Sequence, residues 1–476
     1  MRTLLGTLGL VTLVLASMPS CGGDDATTDD TSGGSAGRGG TGGSGRGGAE
    51  QGGSAGTSPG DAGDAGDAGG AGGAGAPGTG GGTAGDGGAG DDMGGTGGRG
   101  GAGGRGGSAG NAGDGGDGGT GGGDPDPGPD ERCASASADS MAGTGTTSDP
   151  YLVCLPEHLA RVGSGAYSLA SHYALGNNVD VSALAPPFAT IGEGVASFSG
   201  TLDGRGRSIT GLARTLIEFV ETGGEIRNLA FSGTVDANDR STSWGLLTRT
   251  NRGTLRAVHG EGTLLVNDHV GILAGTNEGR VEDCSSRGTI AEGGGHVGGL
   301  VGVNRGTILR SFSTASVSAS NRVGGLVGTQ WGGSIEQCYA TGPVVGTGSP
   351  GGLVGTHFAG SIIDSYARSQ SIDSPNAGGL VGFASGTGLV LSTSYAFPQS
   401  LAGAGAQGLV GLVETGTAPA VSACYFHDSA TGSLGVPLTT SQMRSESSFV
   451  GWDFDTVWQM DPSVSPYPSL RYQSAP

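Results

Sequence analysis

The sequence predicts an all-β fold: a right-handed parallel β-helix of about nine coils near 27 residues each, preceded by a disordered Gly-rich tether. Three observations predict it. A short Gly-aliphatic-aliphatic pattern recurs through the second half: Gly245-Leu246-Leu247, Gly271-Ile272-Leu273, Gly299-Leu300-Val301, Gly325-Leu326-Val327, Gly352-Leu353-Val354, Gly379-Leu380-Val381 and Gly408-Leu409-Val410. Its middle residue steps by 26, 28, 26, 27, 27 and 29 positions. The apolar runs between these triplets are two to five residues long, β-branched, and bounded by Gly, Ser, Asn and Thr, which is strand-and-turn chemistry. Finally, the composition changes sharply near residue 130, from almost pure Gly, Ala, Ser, Thr and Asp to a chain able to form a core.

Residues 1–20 read as a secretory signal peptide: Arg2, then an apolar stretch from Leu4 to Met18, then Pro19-Ser20. The stretch is too short to span a membrane comfortably. Cys21 among small residues resembles a bacterial lipoprotein processing site, and acylation there, palmitate included, would anchor the chain to a lipid bilayer. The alternative is a plain cleaved signal with an incidental Cys21.

Residues 21–130 follow as the tether. Gly has no side chain to bury and loses the most entropy on ordering, so this composition cannot hold a core. Residues 22–130 carry 16 acidic groups against 4 arginines, and like-charge repulsion extends the segment further. A Gly-rich coil of this length has a typical reach of about 60 Å.

The folded part divides into an opening segment with an N-terminal cap and first coils (131–220), the repeats (221–430) and an aromatic C-terminal cap (431–476). Within the repeats, Leu246, Ile272, Leu300, Leu326, Leu353, Leu380 and Leu409 form the first core column. A second column reads Ile226/Leu229, Leu255/Val258, Val281/Cys284, Ile308/Ser311, Ile335/Cys338, Ile362/Ser365, Leu391/Ser394 and Val421/Cys424. A third follows six residues later at Val235, Leu264, Ile290, Val317 and Val344, and then breaks, with Ser371 in the expected place and Ile372 beside it. Corners such as Asn251-Arg252-Gly253-Thr254 and Asn304-Arg305-Gly306-Thr307 suit turns, since Asn bonds its own backbone there. An interior Asn stack is one arrangement; base rates favour surface corners. A β-sandwich is the competing fold.

Gly-Gly-Leu-Val-Gly at this spacing, followed by Cys338-Tyr339-Ala340, Ser365-Tyr366-Ala367 and Ser394-Tyr395-Ala396, resembles the GLUG motif repeats of bacterial surface and secreted proteins. The flanks look similar too: Tyr151-Leu152-Val153-Cys154 with Pro156 to Ala160, Phe198 to Leu212, and Gly451-Trp452-Asp453-Phe454 with Trp458 and Tyr467 to Leu470. The resemblance implies a β-helix of adhesin-like proteins, with related repeats beside the protease part of some immunoglobulin A-cleaving enzymes. That protease needs a His-Glu-x-x-His helix, and the sequence has none.

Both ends of an open β-helix need covering. Pro156 to Val162 suits a short helix with Pro in its first turn, placing Leu155, Leu159 and Val162 against the first coil. Trp452, Phe454, Trp458 and Tyr467 suit a hydrophobic cap at the far end, with an aromatic binding platform as the alternative. Cys133 and Cys154 are close enough in sequence to form a disulfide in an oxidising compartment. Cys284, Cys338 and Cys424 share one interior column but are separated by intervening coils, so they are expected as buried free thiols.

The search for chemistry finds little. His158, His172, His259, His269, His296, His357 and His427 show no familiar metal spacing, and no motif calls for a cofactor. Asp203, Asp236, Asp283, Asp364 and Asp428 are the carboxylates a polysaccharide lyase or hydrolase would draw on, but they share no repeat column and read as solvated surface groups. The chain has no lysine and a net charge of −20, which argues against nucleic acid as a partner. The expectation is a lipid-anchored lipoprotein of the outer membrane or cell surface, non-catalytic, binding an extracellular glycan or surface protein; the rival is a lyase or hydrolase on the same scaffold.

Overall fold

The computed structural model describes residues 128–194, 196–236, 244–265, 268–417 and 419–474. The signal peptide, Cys21 and nearly all of the tether therefore lie outside the described residues. From residue 151 onward the chain is a parallel β-solenoid of about nine coils of ~27 residues, as the repeat predicts. Its one α-helix among the described residues is Pro156–Arg161, with Pro in the first turn; Leu159 and Val162 are buried against the first coils. Leu155 goes elsewhere, packing with Cys133, Cys154, Leu152 and Ala174 in a small separate cluster.

Three sheets run along the stack. An eight-stranded parallel sheet carries one strand per coil from Ile217–Val220 to Val410–Val413. A four-stranded sheet (Trp244–Gly245, Asp268–Gly271, Gly295–Gly298, Val323–Gly324) precedes it in four successive coils. The remaining coil strands form one large sheet that wraps the other corners. Coil strands pair in parallel with the coil above and below, so each ladder bond joins neighbouring repeats rather than neighbours in sequence.

The columns stack in register. Val281, Ile308, Ile335, Ile362 and Leu391 pair one after another, and each is fully buried. The seven first-column residues Leu246, Ile272, Leu300, Leu326, Leu353, Leu380 and Leu409 are likewise fully buried. The third column absorbs one inserted residue: Val344 pairs with Ile372, leaving Ser371 in the preceding loop, and Ile372 pairs with Leu401. Ahead of the thiol or serine in each coil stands a residue in the left-handed region: Asp283, Arg310, Gln337, Asp364, Thr393 and Ala423, at φ between 43° and 55°. That corner lets the next side chain enter the core. There Ser311 Oγ accepts from Cys284 N at 3.0 Å and donates to Leu309 O at 2.8 Å, which satisfies its hydroxyl without water.

One expectation is corrected. The corner asparagines are not on the surface. Asn251, Asn277 and Asn304 are fully buried, and each donates its side-chain amide to the next coil, ending on Gln330 at 2.8 Å. Asn251 Oδ1 also accepts from Gly253 N at 3.1 Å, so one residue serves both turn and ladder. The C-terminal aromatics do more than cover an end. Phe312, Tyr339, Tyr366 and Tyr395 stack coil on coil at 4.7, 5.0 and 5.0 Å between centroids. The last segment lies along that ladder, with Trp458 packed on Tyr366 and Tyr395 and Tyr472 on Tyr339. Val436–Leu438 adds a parallel strand beside Tyr425–His427, which covers the final edge at this corner.

Candidate functional site

The outer face of the eight-stranded sheet presents a groove of about 390 Å³. Its floor is one stacked column, Thr250, Thr276 and Val303, with Thr329 next in the column but fully buried beneath His296. One wall is His269, His296 and Arg322; the other is Arg252, Glu278, Arg305 and Trp331.

The last glycine of each Gly-Leu-Val-Gly run builds the first wall. A Cβ on Gly302 would lie 2.5 Å from His269 C, and one on Gly328 would lie 2.3 Å from His296 C. Only bare backbone lets the histidine strand of the preceding coil lie flat against this sheet. His269 and His296 each take a positive φ (47° and 55°) beside it. His296 thereby reaches Thr329, with 2.7 Å from Nδ1 to Oγ1. Its other nitrogen, Nε2, accepts from Arg322 at 2.6 Å, so the neutral ring carries its proton on Nδ1 and donates to the threonine. Burial first, then the neighbouring His269 and Arg322, push His296 down to about 4.

The opposite wall mixes charge with aromatic surface. Glu278 bridges Arg252 at 2.9 Å and Arg305 at 3.5 Å. Arg305 lies 5.9 Å over Trp331, and Arg322 lies 5.5 Å over Phe358. Trp331 and Phe358 touch at 4.6 Å, and Trp331 keeps 46% of its surface exposed. The two rings stand one period apart at the corner that Arg252, Glu278, Arg305 and Ser385 occupy in other coils, so the residue type at this position is not constant and no apolar column announces them.

A second concavity, of about 520 Å³, opens between the coils and the C-terminal segment, lined by Thr341, Arg368, Gln370, Phe397, Gln399 and Tyr467. Arg368 lies 5.3 Å over the Tyr366 ring and donates to Ser465; among the described residues no carboxylate pairs with it.

The structure scatters the five candidate acids. Asp283 and Asp364 do share a column, contrary to the sequence reading, since both stand two residues after a paired second-column residue. Three coils separate them, about 14 Å, beyond the carboxylate spacing of glycoside hydrolysis. Asp283 is held by Arg310 at 2.7 Å, and Asp364 accepts from Thr393 and from Trp458 Nε1. Burial pushes the Asp203 carboxyl up, but hydrogen bonds from Arg205 N, Asn228 and Arg227 outweigh it and hold it below the usual range. Such a group is a poor proton donor. Asp236 is exposed at a strand end, and Asp428 neighbours His427 at 3.7 Å. Cys133 and Cys154 form a disulfide, while Cys284, Cys338 and Cys424 are free and buried. Trp452 and Trp458 are buried among other rings, which suits packing rather than a platform.

One coil of this stack carries a recognisable signature. Residues 319–345 match the GLUG motif. That GLUG repeat contains Gly324 to Gly328, Ile335, Cys338-Tyr339-Ala340 and Val344, so it samples all three core columns and supplies the glycine under His296. Halomucin of Haloquadratum walsbyi is 29% identical over 154 residues, which cover 28% of this chain and 2% of halomucin. A proposed immunoglobulin A1 protease from Bacteroides ovatus, known from its crystal structure, aligns with a TM-score of 0.40 at 19% identity, over 69% of this chain and 94% of that one. A second solved structure, an IgA1 protease, aligns with a TM-score of 0.34 at 16% identity, over 56% of this chain and 20% of that one.

Proposed function

We propose that this chain is a surface-displayed, non-catalytic binding protein whose GLUG-bearing solenoid holds an extracellular glycan in the groove over Thr250, Thr276 and Val303. The observation that carries this reading is the combination lining that groove: hydroxyls on the floor, guanidinium groups of Arg252, Arg305 and Arg322, and the exposed Trp331 ring at the rim. Sugars present hydroxyls to polar side chains and C–H faces to aromatic rings, and rigid β-strands hold both without reorganisation. In this proposal Cys21 is acylated, residues 21–130 extend from the bilayer, and the solenoid is presented at the outer membrane or cell surface. The Cys133–Cys154 disulfide supports an oxidising compartment. A surface protein is the other ligand class such a groove would admit. A lyase or hydrolase is disfavoured by the separation and ion pairing of the candidate acids.

The test is a glycan array probed with the full chain, followed by incubation with each bound glycan and end-group analysis. Binding without new reducing or unsaturated ends supports the reading. Cleavage would replace it with the enzymatic one, and an array without binding would remove the glycan.

A further inference from the structure

Asp268, His269 and His296 lie at one point on the groove wall, each offering a ligand atom, all within 4.8 Å of one another. The two histidines are 27 residues apart, one solenoid period. Their strands pair in parallel, Asp268 opposite Gly295 and Val270 opposite Val297, so the rings occupy the same position on successive coils. The ring centroids are 4.5 Å apart. Asp268 Oδ1 accepts from His269 N at 3.0 Å, which turns the carboxylate back toward the same corner.

We infer that these three side chains form a binding site for a divalent transition metal of the zinc class. Two imidazoles and one carboxylate are a ligand set that leaves further coordination positions for water or a bound ligand. Calcium and magnesium favour oxygen donors and are poorly matched. The hydrogen bond from His296 Nδ1 to Thr329 fixes the tautomer that presents Nε2 as a lone pair, the usual role of an outer partner at a metal-bound histidine.

Arg322 is the competitor. Its guanidinium donates to the same Nε2 at 2.6 Å and would have to leave when metal arrives. Its position over Phe358 gives it a place that does not depend on His296. This makes a signed prediction that a chance pair of surface histidines would not make: removing the arginine should strengthen metal binding, and removing a histidine should weaken it.

The experiment is calorimetric titration of the chelator-stripped full chain with zinc chloride, with cobalt(II) absorption as a second readout. Wild type should bind one zinc per chain at this site and give visible ligand-field bands with cobalt. His269→Ala and His296→Ala should each weaken binding by at least about tenfold, the scale on which even outer partners act. Arg322→Ala should tighten it several-fold. If His296→Ala fails to fold, His269→Ala and the cobalt spectrum decide the matter. No stoichiometric uptake by wild type, or equal uptake by wild type and the histidine variants, would overturn the site. Glycan binding is measured without added metal, so loss of either conclusion leaves the other standing.

Discussion

Asn277 donates its side-chain amide to Asn304 Oδ1 at 2.7 Å, with both residues fully buried and one coil apart. Asn251 continues the row above and Gln330 below. An amide is both donor and acceptor, so a stacked row satisfies itself wherever the repeat places one amide per coil. The row also fixes register, because a slipped coil would strand a buried polar group.

Replacing Asn304 with Ala should therefore cost more than one ordinary hydrogen bond. It leaves Gln330 Oε1 without its inter-coil donor, at about 1–3 kcal/mol for a stranded buried group, and leaves Asn277 Nδ2 only its longer contacts to Gly279 O and Thr307 O at 3.4 Å. Urea denaturation should show the midpoint falling accordingly. A change under about 0.5 kcal/mol would contradict the buried ladder.

His357 occupies the same row two coils beyond Asn304 and behaves differently with pH. It is fully buried; Nε2 donates to Gly360 O at 3.1 Å, and Nδ1 has no partner. Burial pushes it down to about 4 from 6.5. Between those values the unfolded chain binds the extra proton, so stability is complete above about 6.5 and falls as pH drops toward 4. The His357 share is at most on the order of 3 kcal/mol, at about 1.4 kcal/mol per pKa unit. His259 and His296 are shifted down as well, so His357→Gln should flatten the profile only in part. Thermal melts from pH 7 to pH 4 measure this, and an unchanged slope in the variant would refute the assignment.

Gly328→Ala tests how the groove wall is built. The added methyl would meet His296 C and Val297 N at 2.3 and 2.4 Å, both backbone atoms with little room to yield. The variant should lose stability by about 1–3 kcal/mol, as overpacking does. The proton resonances of His296 should shift with it. A melt and spectrum matching wild type would mean the two sheets do not touch here.

The thiols offer a chemical check. Burial pushes Cys284 and Cys338 up to about 12 and Cys424 up to about 11, so at pH 8 they are un-ionised as well as enclosed. Iodoacetamide should leave all three unmodified until denaturant is added, and mass mapping should recover the Cys133–Cys154 peptide pair. A disulfide between any two of the three would be incompatible with this stacking.

The solenoid was legible because its core obeys one period: Leu326 and Leu353, or Ile335 and Ile362, announce the same environment 27 residues apart. The Asn row was visible as a turn signal but not as an interior one, since a lone Asn satisfies a surface corner equally well. The site was harder to see. Trp331 and Phe358 share one corner position whose residue type changes from coil to coil. His269 and His296 match no short metal motif, yet their separation of one period was itself the signal that they would stack. The tyrosine ladder was quoted as a motif, but its partner segment at 449–472 is joined only by the fold.

The most direct test of the account is glycan affinity measured side by side for wild type and Trp331→Ala. The ring is 46% exposed, so its loss should change stability by less than about 0.5 kcal/mol. Affinity for the best array glycan should fall roughly tenfold, equivalent to about 1.4 kcal/mol. Undiminished binding by a correctly folded Trp331→Ala protein would contradict the placement of the ligand in this groove.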